Sequence, residues 1–229
     1  IREHVIRELL QRGGDELAGL LRWFSIYRQP VLKEGVRQVG EKAGLETWEE
    51  LLKEGIGLSL IEYDQARENY RLIPLLREEL LAELENRHAS HRAAFAYYKK
   101  ICEANESIDP VSVEEWIYHA LGCGEEEVAS EQGGILVIYL YDHLAFRESR
   151  RVGLWVLEEK NSELSTAYDA FLLYGTAFTI KTLGDHRKAI DYYEQALKID
   201  RNVYGEAHPA VARELNNLGE VWRVLGEPK

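Results

Sequence analysis

The chain has 229 residues, enough for one or two domains with cores of their own, and 45% of them are hydrophobic and 30% charged, as in globular proteins. Its net charge of −12 disfavours binding to a nucleic-acid backbone, which requires clustered Lys and Arg. Only two cysteines, Cys102 and Cys123, are present, which favours a reducing, cytoplasmic compartment over a disulfide framework. No apolar run reaches the roughly 18 residues that a membrane span needs.

The N-terminal 30 residues are predicted to be helical. Ile6, Leu9 and Leu10 recur at helical spacing, Gly13-Gly14 interrupts the pattern, and Asp15 can cap a second helix.

Two further helices are predicted before residue 60. One begins at Pro30 and ends at Gly44, where the backbone can leave the helix. The other begins at the capping box Thr47-Trp48-Glu49-Glu50 and runs to about Gly55.

A β-hairpin is predicted next. The runs 58–63 and 70–73 are rich in strand formers, and the polar stretch 64–69 joins them. Pro74 can start the following helix because its missing N–H costs nothing there. Helical patterning then continues until Asp109-Pro110, the clearest break in the chain.

The second half is predicted to consist of antiparallel helices, the first of which begins at a capping box formed by Ser112 and Glu115. The predicted helices cover residues 112–121, 125–141, 144–158, 163–182, 186–200 and 208–225. The last sixty residues also repeat at a spacing of 42, since Leu173, Ala177 and Gly184 recur as Leu215, Gly219 and Gly226. A fixed period in this range predicts a solenoid, in which each unit buries its apolar face against a neighbour.

The helices and hairpin of residues 15–85 resemble a winged helix. The stretch from Leu58 to Arg77 is similar to the winged-helix module that follows the nucleotide-binding domain in STAND-type signalling ATPases. Relatives usually have His at the position of Ile73, where it can reach the phosphates of the nucleotide, whereas Ile73 cannot donate a hydrogen bond. The resemblance implies that Trp48, Tyr63 and Ile73 contact such a nucleotide-binding domain.

Residues 163–229 resemble tetratricopeptide repeats of the kinesin-light-chain type. Small residues at Ala177, Ala189 and Ala196 would let two helices approach closely. Residues 112–158 look like one or two degenerate units, in which Leu144 stands where Gly184 stands in the clear unit.

The repeat pattern implies a partner-binding groove along the first helix of each unit. Asn216 can bond a peptide backbone, Arg213 and Arg223 can hold carboxylates, and aromatic rings can stack. For Phe171 and Phe178 the alternative is packing in the core against a preceding helix. The groove residues predicted are Phe171, Tyr174, Phe178 and Lys181 in one unit and Arg213, Asn216, Glu220 and Arg223 in the next.

Catalytic motifs are missing from the sequence. No phosphate loop of the form G-x-x-x-x-G-K-[ST] and no G-x-S-x-G elbow occurs, so no enzyme activity and no cofactor is expected. His119 and Cys123 are four residues apart and can share a helix face as metal ligands do, but no further ligand lies nearby in sequence. Structural packing is the favoured interpretation, and no metal site is expected.

The predicted fold is mainly α, a winged helix with a small β-hairpin followed by a tetratricopeptide-like α-solenoid. The predicted organisation has four parts. They are 1–14, a helix from a preceding domain; 15–85, the winged helix; 86–162, connecting helices and degenerate units; and 163–229, the repeats, of which the last is truncated.

The predicted function is that of a non-catalytic regulatory and sensor segment of a STAND-type signalling ATPase, whose ATPase domain is absent from this chain. Its partners would be a protein or peptide in the groove and the nucleotide-binding domain, with no membrane.

Two alternatives remain open. The first is a transcriptional regulator whose winged helix reads DNA, although the helix beginning at Thr47 carries Glu49, Glu50 and Glu54, which would repel the duplex. The second is an assembly scaffold that self-associates through the solenoid end at Trp222 and Leu225.

Overall fold

The computed structural model describes residues 2–226, with the side chains of residues 8, 10 and 12–226. Ile1, residues 227–229 and the side chains of Ile6 and Leu9 lie outside the described residues. The described part is mainly helical, and the chain divides into two compact units that meet in sequence at Gly124 and Glu125. The four predicted segments, with bounds at 14, 85 and 162, stay predictions.

The first unit contains six helices and three strands within the described residues. In chain order these are α1 (Arg2–Phe24), β1 (Val31–Leu32), α2 (Lys33–Lys42), α3 (Trp48–Gly57), β2 (Ile61–Asp64), β3 (Asn69–Leu72), α4 (Pro74–Glu83), α5 (Arg87–Ala104) and α6 (Pro110–Gly122). Gly14 adopts φ +71° and ψ −179° inside α1, so the backbone leaves the helix where the glycine pair was predicted to interrupt it.

The predicted hairpin is confirmed by β2 and β3, but it belongs to a three-stranded antiparallel sheet of order β1-β3-β2. Strand β1 was missed, because Pro30 was expected to start a helix. Val31 instead pairs with Tyr70, and the N–H of Leu32 donates to the hydroxyl of Tyr97 at 2.9 Å. A two-residue strand has no periodicity to detect, and it depends on partners distant in sequence.

Both predicted capping boxes in this unit are wrong. Thr47 lies at φ −91° and ψ 19°, outside the extended region that a capping residue usually adopts, and makes no side-chain cap. Its hydroxyl donates instead to Glu16 at 3.4 Å. Helix α6 begins at Pro110, two residues early, because Asp109 accepts hydrogen bonds from the first free N–H groups. Glu115 is buried and paired with Arg28.

The core of the first unit contains buried apolar residues of all four helices α1 to α4. Trp48 is buried against Gly40, where an added Cβ would come within 2.6 Å of the Trp48 Cβ. Helix α5 packs on α2. Buried aliphatic residues of α1 to α4 and of the segment before β2 include Leu17, Leu20, Leu21, Val36, Val39, Leu52, Leu60, Leu76 and Leu80.

The second unit consists of five helices in the described residues, and they match the predicted ones within a few residues. They are α7 (Glu126–Asp142), α8 (Phe146–Glu159), α9 (Ala167–Thr182), α10 (His186–Tyr204) and α11 (Pro209–Leu225). Leu144, Gly184 and Gly226 all have positive φ, at +62°, +90° and +75°, so each lets the chain turn, after α7, α9 and α11 respectively.

The 42-residue period corresponds to helices that share a sequence pattern but differ in burial. Leu173 of α9 is fully buried because α10 covers its face with Ala196 and neighbouring side chains. Leu215, the equivalent residue of α11, is 45% exposed, since no element within the described residues covers it. Among the helices of residues 2–226, none has the length and apolar character to cross a membrane.

Candidate partner-binding face of the repeats

Helices α9 and α11 present most of the predicted groove residues on adjacent surfaces, and α10 packs against both helices. The largest fully buried side chain is Tyr193 of α10, and its hydroxyl donates to Oδ1 of Asn217 on α11 at 3.5 Å. Burial raises the pKa of Tyr193, so the phenol stays protonated and can donate. This contact joins α10 to α11.

Lys181 joins the two predicted sets of groove residues. Its ammonium pairs with Glu220 at 2.8 Å, donates to Asn217 at 3.3 Å and lies 4.7 Å from the centre of the Phe178 ring. The hydrogen bond from Lys181 lowers the pKa of Glu220, which therefore stays ionised. The ion pair therefore connects α9 with α11.

Arg213 makes a second contact between α9 and α11. Its guanidinium lies 3.8 Å from the centre of the Tyr174 ring and donates to Oε1 of Glu214 at 3.0 Å. A guanidinium stacked on an aromatic ring and held by a carboxylate is a rigid, planar donor surface. Tyr174 and Arg213, both predicted groove residues, therefore lie together.

Glu214 is an acidic residue of this region that sequence reasoning missed. It is fully buried, and burial raises its pKa to about 7, although the hydrogen bond from Arg213 opposes the change and Asp200 adds to it. Its Oε2 has no hydrogen-bond partner within the described residues. A charged residue in the apolar pattern of α11 was the available signal, but helical spacing alone did not separate it from the solvated face.

An aromatic row continues from the groove toward the preceding helix pair. The ring of Tyr174 lies 6.0 Å from that of Phe178, which lies 4.8 Å from Tyr141 of α7. Tyr141 in turn lies 5.0 Å from Phe146 at the start of α8. Neither Tyr141 nor Phe146 was predicted to belong to the site, because groove residues were assigned only within residues 163–229.

The remaining groove residues are placed differently. Phe171 packs against Gly134 of α7, where an added Cβ would come within 2.5 Å of the ring, so it fills space between two helices. Asn216 and Arg223 are exposed beside the cluster. Asn217, the neighbour of Asn216, makes the buried amide contacts. A shift of one residue turns a side chain by about 100° on a helix, a difference that the repeat pattern did not resolve.

A buried ion pair lies at the start of α9, the helix that carries Tyr174 and Phe178. Lys160, which follows α8, pairs with Asp169 of α9 and donates to Ser130 of α7, and both charged side chains are almost fully buried. Burial alone would raise the pKa of Asp169, but hydrogen bonds from Lys160 and Ser130 and from the backbone of Thr166 and Ser165 lower it to about 2. The network joins α7 and α9 with the residue that follows α8.

His119 and Cys123 are packing residues of the first unit. His119 is fully buried, and its Nδ1 lies 3.1 Å from Nδ1 of His91 while its ring stacks on Tyr98. Burial lowers the pKa of both histidines, that of His91 to about 4. Cys123 and Cys102 are free thiols, and among the described side chains no group of three or more His, Cys, Asp or Glu could hold a metal ion.

The three predicted docking residues have unequal access to a partner. Trp48 is buried in the core of the first unit. Tyr63 is 43% exposed on β2 and stacks on Tyr70 at 4.8 Å. Ile73 is half-buried, and its N–H donates to the carbonyl of Leu60 at 3.2 Å.

Comparison with protein families identifies one part of the chain. The tetratricopeptide repeat family matches residues 168–228, which contain α9, α10 and α11. This part of the chain is a tetratricopeptide-like segment. Such repeats generally mediate protein–protein interaction and are typically non-catalytic. No curated protein and no solved structure matches the chain.

Proposed function

We propose that the tetratricopeptide-like segment binds a protein or peptide along the joined surfaces of α9 and α11. The observation that carries the proposal is that five residues from α9 and α11 lie together and are joined by an ion pair and by ring contacts. They are Tyr174, Phe178, Lys181, Arg213 and Glu220. Aromatic faces beside oriented cations suit a peptide that offers both apolar side chains and hydrogen-bond acceptors.

We further propose that the chain is the regulatory and sensor segment of a STAND-type signalling ATPase. Support comes from the element order of residues 15–85, which is helix, strand, two helices, hairpin and helix, as a winged helix requires. The exposed Tyr63 and the half-buried Ile73 would then contact a nucleotide-binding domain, and the buried Trp48 would support them from the core. Partner binding to the repeats would shift a two-state contact between these domains.

The STAND proposal is tested by the coding sequence upstream of Ile1. A phosphate-loop motif followed by this winged helix in one reading frame is the expected result, and an upstream sequence without that motif would refute the assignment.

Self-association through α11 is a second candidate function. Leu215 and Val224 are 45% and 54% exposed, and Trp222 and Leu225 lie half-buried on the same helix. Light scattering over a concentration series would detect a dimer, and Leu215→Glu would abolish it. A mass that stays that of the monomer at all concentrations would exclude the scaffold.

The binding surface is tested by peptide selection on the purified chain. Twelve-residue peptides enriched from a random displayed library are labelled, and their affinities are measured by fluorescence anisotropy. Two variants address the groove: Asn216→Ala with Arg223→Glu, and Arg213→Lys, which keeps the charge but removes the planar contact on Tyr174. We expect each to weaken binding at least tenfold.

The matched control is Lys198→Glu, which reverses a charge at an exposed position of α10. Thermal melts establish that all variants fold. Peptides that bind the groove variants and the wild type equally well would refute the proposed surface, as would a library that yields no binder.

A further inference from the structure

The turns after α7 and α9 form a pocket beside the groove that the repeat pattern did not indicate. Its volume is ≈ 350 Å³, and its apolar lining comes from Leu144, Phe146 and Leu183. Leu144 and Leu183 are 75% and 37% exposed, so two large aliphatic side chains face solvent at neighbouring turns. Ala145, Arg147 and Glu148 complete the lining, and the carboxylate of Glu148 is paired with Arg151.

Leu144 occupies a backbone conformation that disfavours it. Its φ of +62° lies in the left-handed region, where Gly184 and Gly226 stand at the corresponding turns. A residue with a Cβ is strained there, and its side chain gains little from burial because it is mostly exposed. Strain that folding does not require points to a role of the side chain in contact with something else.

The pocket is continuous with the groove. Phe146 lines the pocket and begins the row of rings that passes through Tyr141 and Phe178 to Tyr174, with centroid separations of 5.0, 4.8 and 6.0 Å. A peptide of a few residues in extended conformation would span this row, at about 3.3 Å per residue. One ligand can therefore contact both places.

The charge at the turns is opposite to that of the chain as a whole. Residues 142–151 and 185–188 hold five Arg or Lys and three Asp or Glu, although the net charge of the chain is −12. Two of the three carboxylates are already engaged, since Glu148 pairs with Arg151 and Asp185 caps α10. Arg147, Arg150 and Arg187 are exposed and form no ion pair within residues 12–226.

We propose that the bound partner is an acidic segment that extends beyond the groove and inserts one aliphatic or aromatic side chain between Leu144 and Leu183. Arg147 then pairs with a carboxylate of the partner next to that anchor. This inference rests on the proposed function, since it assigns the end of the ligand whose middle lies along Tyr174 and Phe178.

The selected peptides test the inference through their composition. We expect enriched sequences to carry several Asp or Glu and one Leu, Ile, Phe or Trp next to an acidic residue. Substitution of the anchor by Ala, or of the acidic residues by Lys, is expected to weaken binding at least tenfold. Enrichment of basic or uncharged peptides would overturn the acidic assignment.

Two variants of the chain test the pocket. Leu144→Gly removes the exposed side chain and relieves the backbone strain, so we expect weaker binding with a melting temperature no lower than that of the wild type. Arg147→Glu is expected to weaken binding at least tenfold and to make the affinity less dependent on salt. Because the first variant is not expected to unfold the chain, a lost affinity cannot be ascribed to misfolding.

The two proposals fail in different ways. Peptides that lose affinity for the groove variants but bind Leu144→Gly and Arg147→Glu like the wild type would overturn the pocket and leave the groove intact. Peptides that are indifferent to the groove variants would overturn the proposed function. A library without binders would overturn both.

Discussion

Glu214 is the residue at which burial and charge conflict most in the repeat segment. Its pKa of about 7 in the folded chain lies above the ordinary value of 4.5, so between these pH values the native state holds a proton that the unfolded chain has lost. The free energy of unfolding therefore falls as the pH rises from about 4.5 to about 7, by at most about 3 kcal/mol, and is level above that.

We expect Glu214→Gln to remove this loss, because the amide stays neutral and its oxygen still accepts from Arg213. Urea unfolding at intervals between pH 4.5 and pH 8 measures the difference between variant and wild type, which should grow with pH up to about 7. The matched control is Glu220→Gln on the same helix, whose carboxylate is exposed. A difference that does not change with pH would contradict the buried-carboxyl explanation.

Lys160 and Asp169 form an almost fully buried ion pair, so removal of one partner leaves the other charge buried and unpaired. We expect Lys160→Met to lower the free energy of unfolding by about 3 kcal/mol or more. The pKa of Asp169 is lowered to about 2, so its contribution is complete above the ordinary value of 3.8 and is lost as the pH falls toward 2.

Arg201→Met is the comparison for this prediction, since Arg201 and Glu206 form an exposed pair in the same segment. That change should cost no more than about 0.5 kcal/mol. Denaturation curves at pH 7 measure both variants, and equal losses would show that the Lys160 pair does not depend on burial.

At the scale of elements, the close approach of α8 and α9 depends on a glycine. An added Cβ at Gly153 would lie 2.2 Å from Oγ1 of Thr176, which is buried and bonded to the carbonyl of Leu172. We expect Gly153→Ala to destabilise the chain by about 1–3 kcal/mol because the helices must separate.

Gly219→Ala is the matched helix-interior substitution on α11, where an added Cβ would meet nothing within 4 Å. It should stabilise the chain by about 0.5–1 kcal/mol, because alanine loses less backbone entropy in a helix. Thermal melts of the two variants should shift in opposite directions. A loss of stability in both would indicate that crowding at Gly153 is not the cause.

At the scale of the whole molecule, charge separates the candidate functions. The exposed face of α3, the helix that would read DNA in a winged helix, carries Glu49, Glu50 and Glu54 with the single cation Lys53. Electrostatic repulsion should prevent tight binding to a duplex.

We expect fluorescence anisotropy with labelled random-sequence duplexes to show no binding at 0.15 M salt and micromolar protein. Selection from a random duplex library is the stricter form of the same measurement. Enrichment of one duplex sequence, with an affinity that Lys53→Glu reduces, would establish the transcriptional alternative.

The sequence by itself determined the order and type of the helices in both units. Helical spacing, proline and glycine positions, and the 42-residue period contain that information locally, and α7 to α11 follow the predicted bounds within a few residues. Strand β1 and the capping boxes at Thr47 and Ser112 were not predicted correctly. Each involves a partner distant in sequence, because Tyr97 accepts from Leu32, Glu16 accepts from Thr47 and Arg28 pairs with Glu115.

The tertiary structure decided which side chains share a surface. The repeat pattern named Tyr174, Phe178, Lys181, Arg213 and Glu220, but only the packing of α9 on α10 and α11 brings them into contact. It also decided that Asn217 and not Asn216 is the buried amide, and that Leu144 opens onto a pocket. Periodicity in the sequence predicts on which side of its own helix a residue lies. Which residue of another helix it contacts depends on how the helices pack.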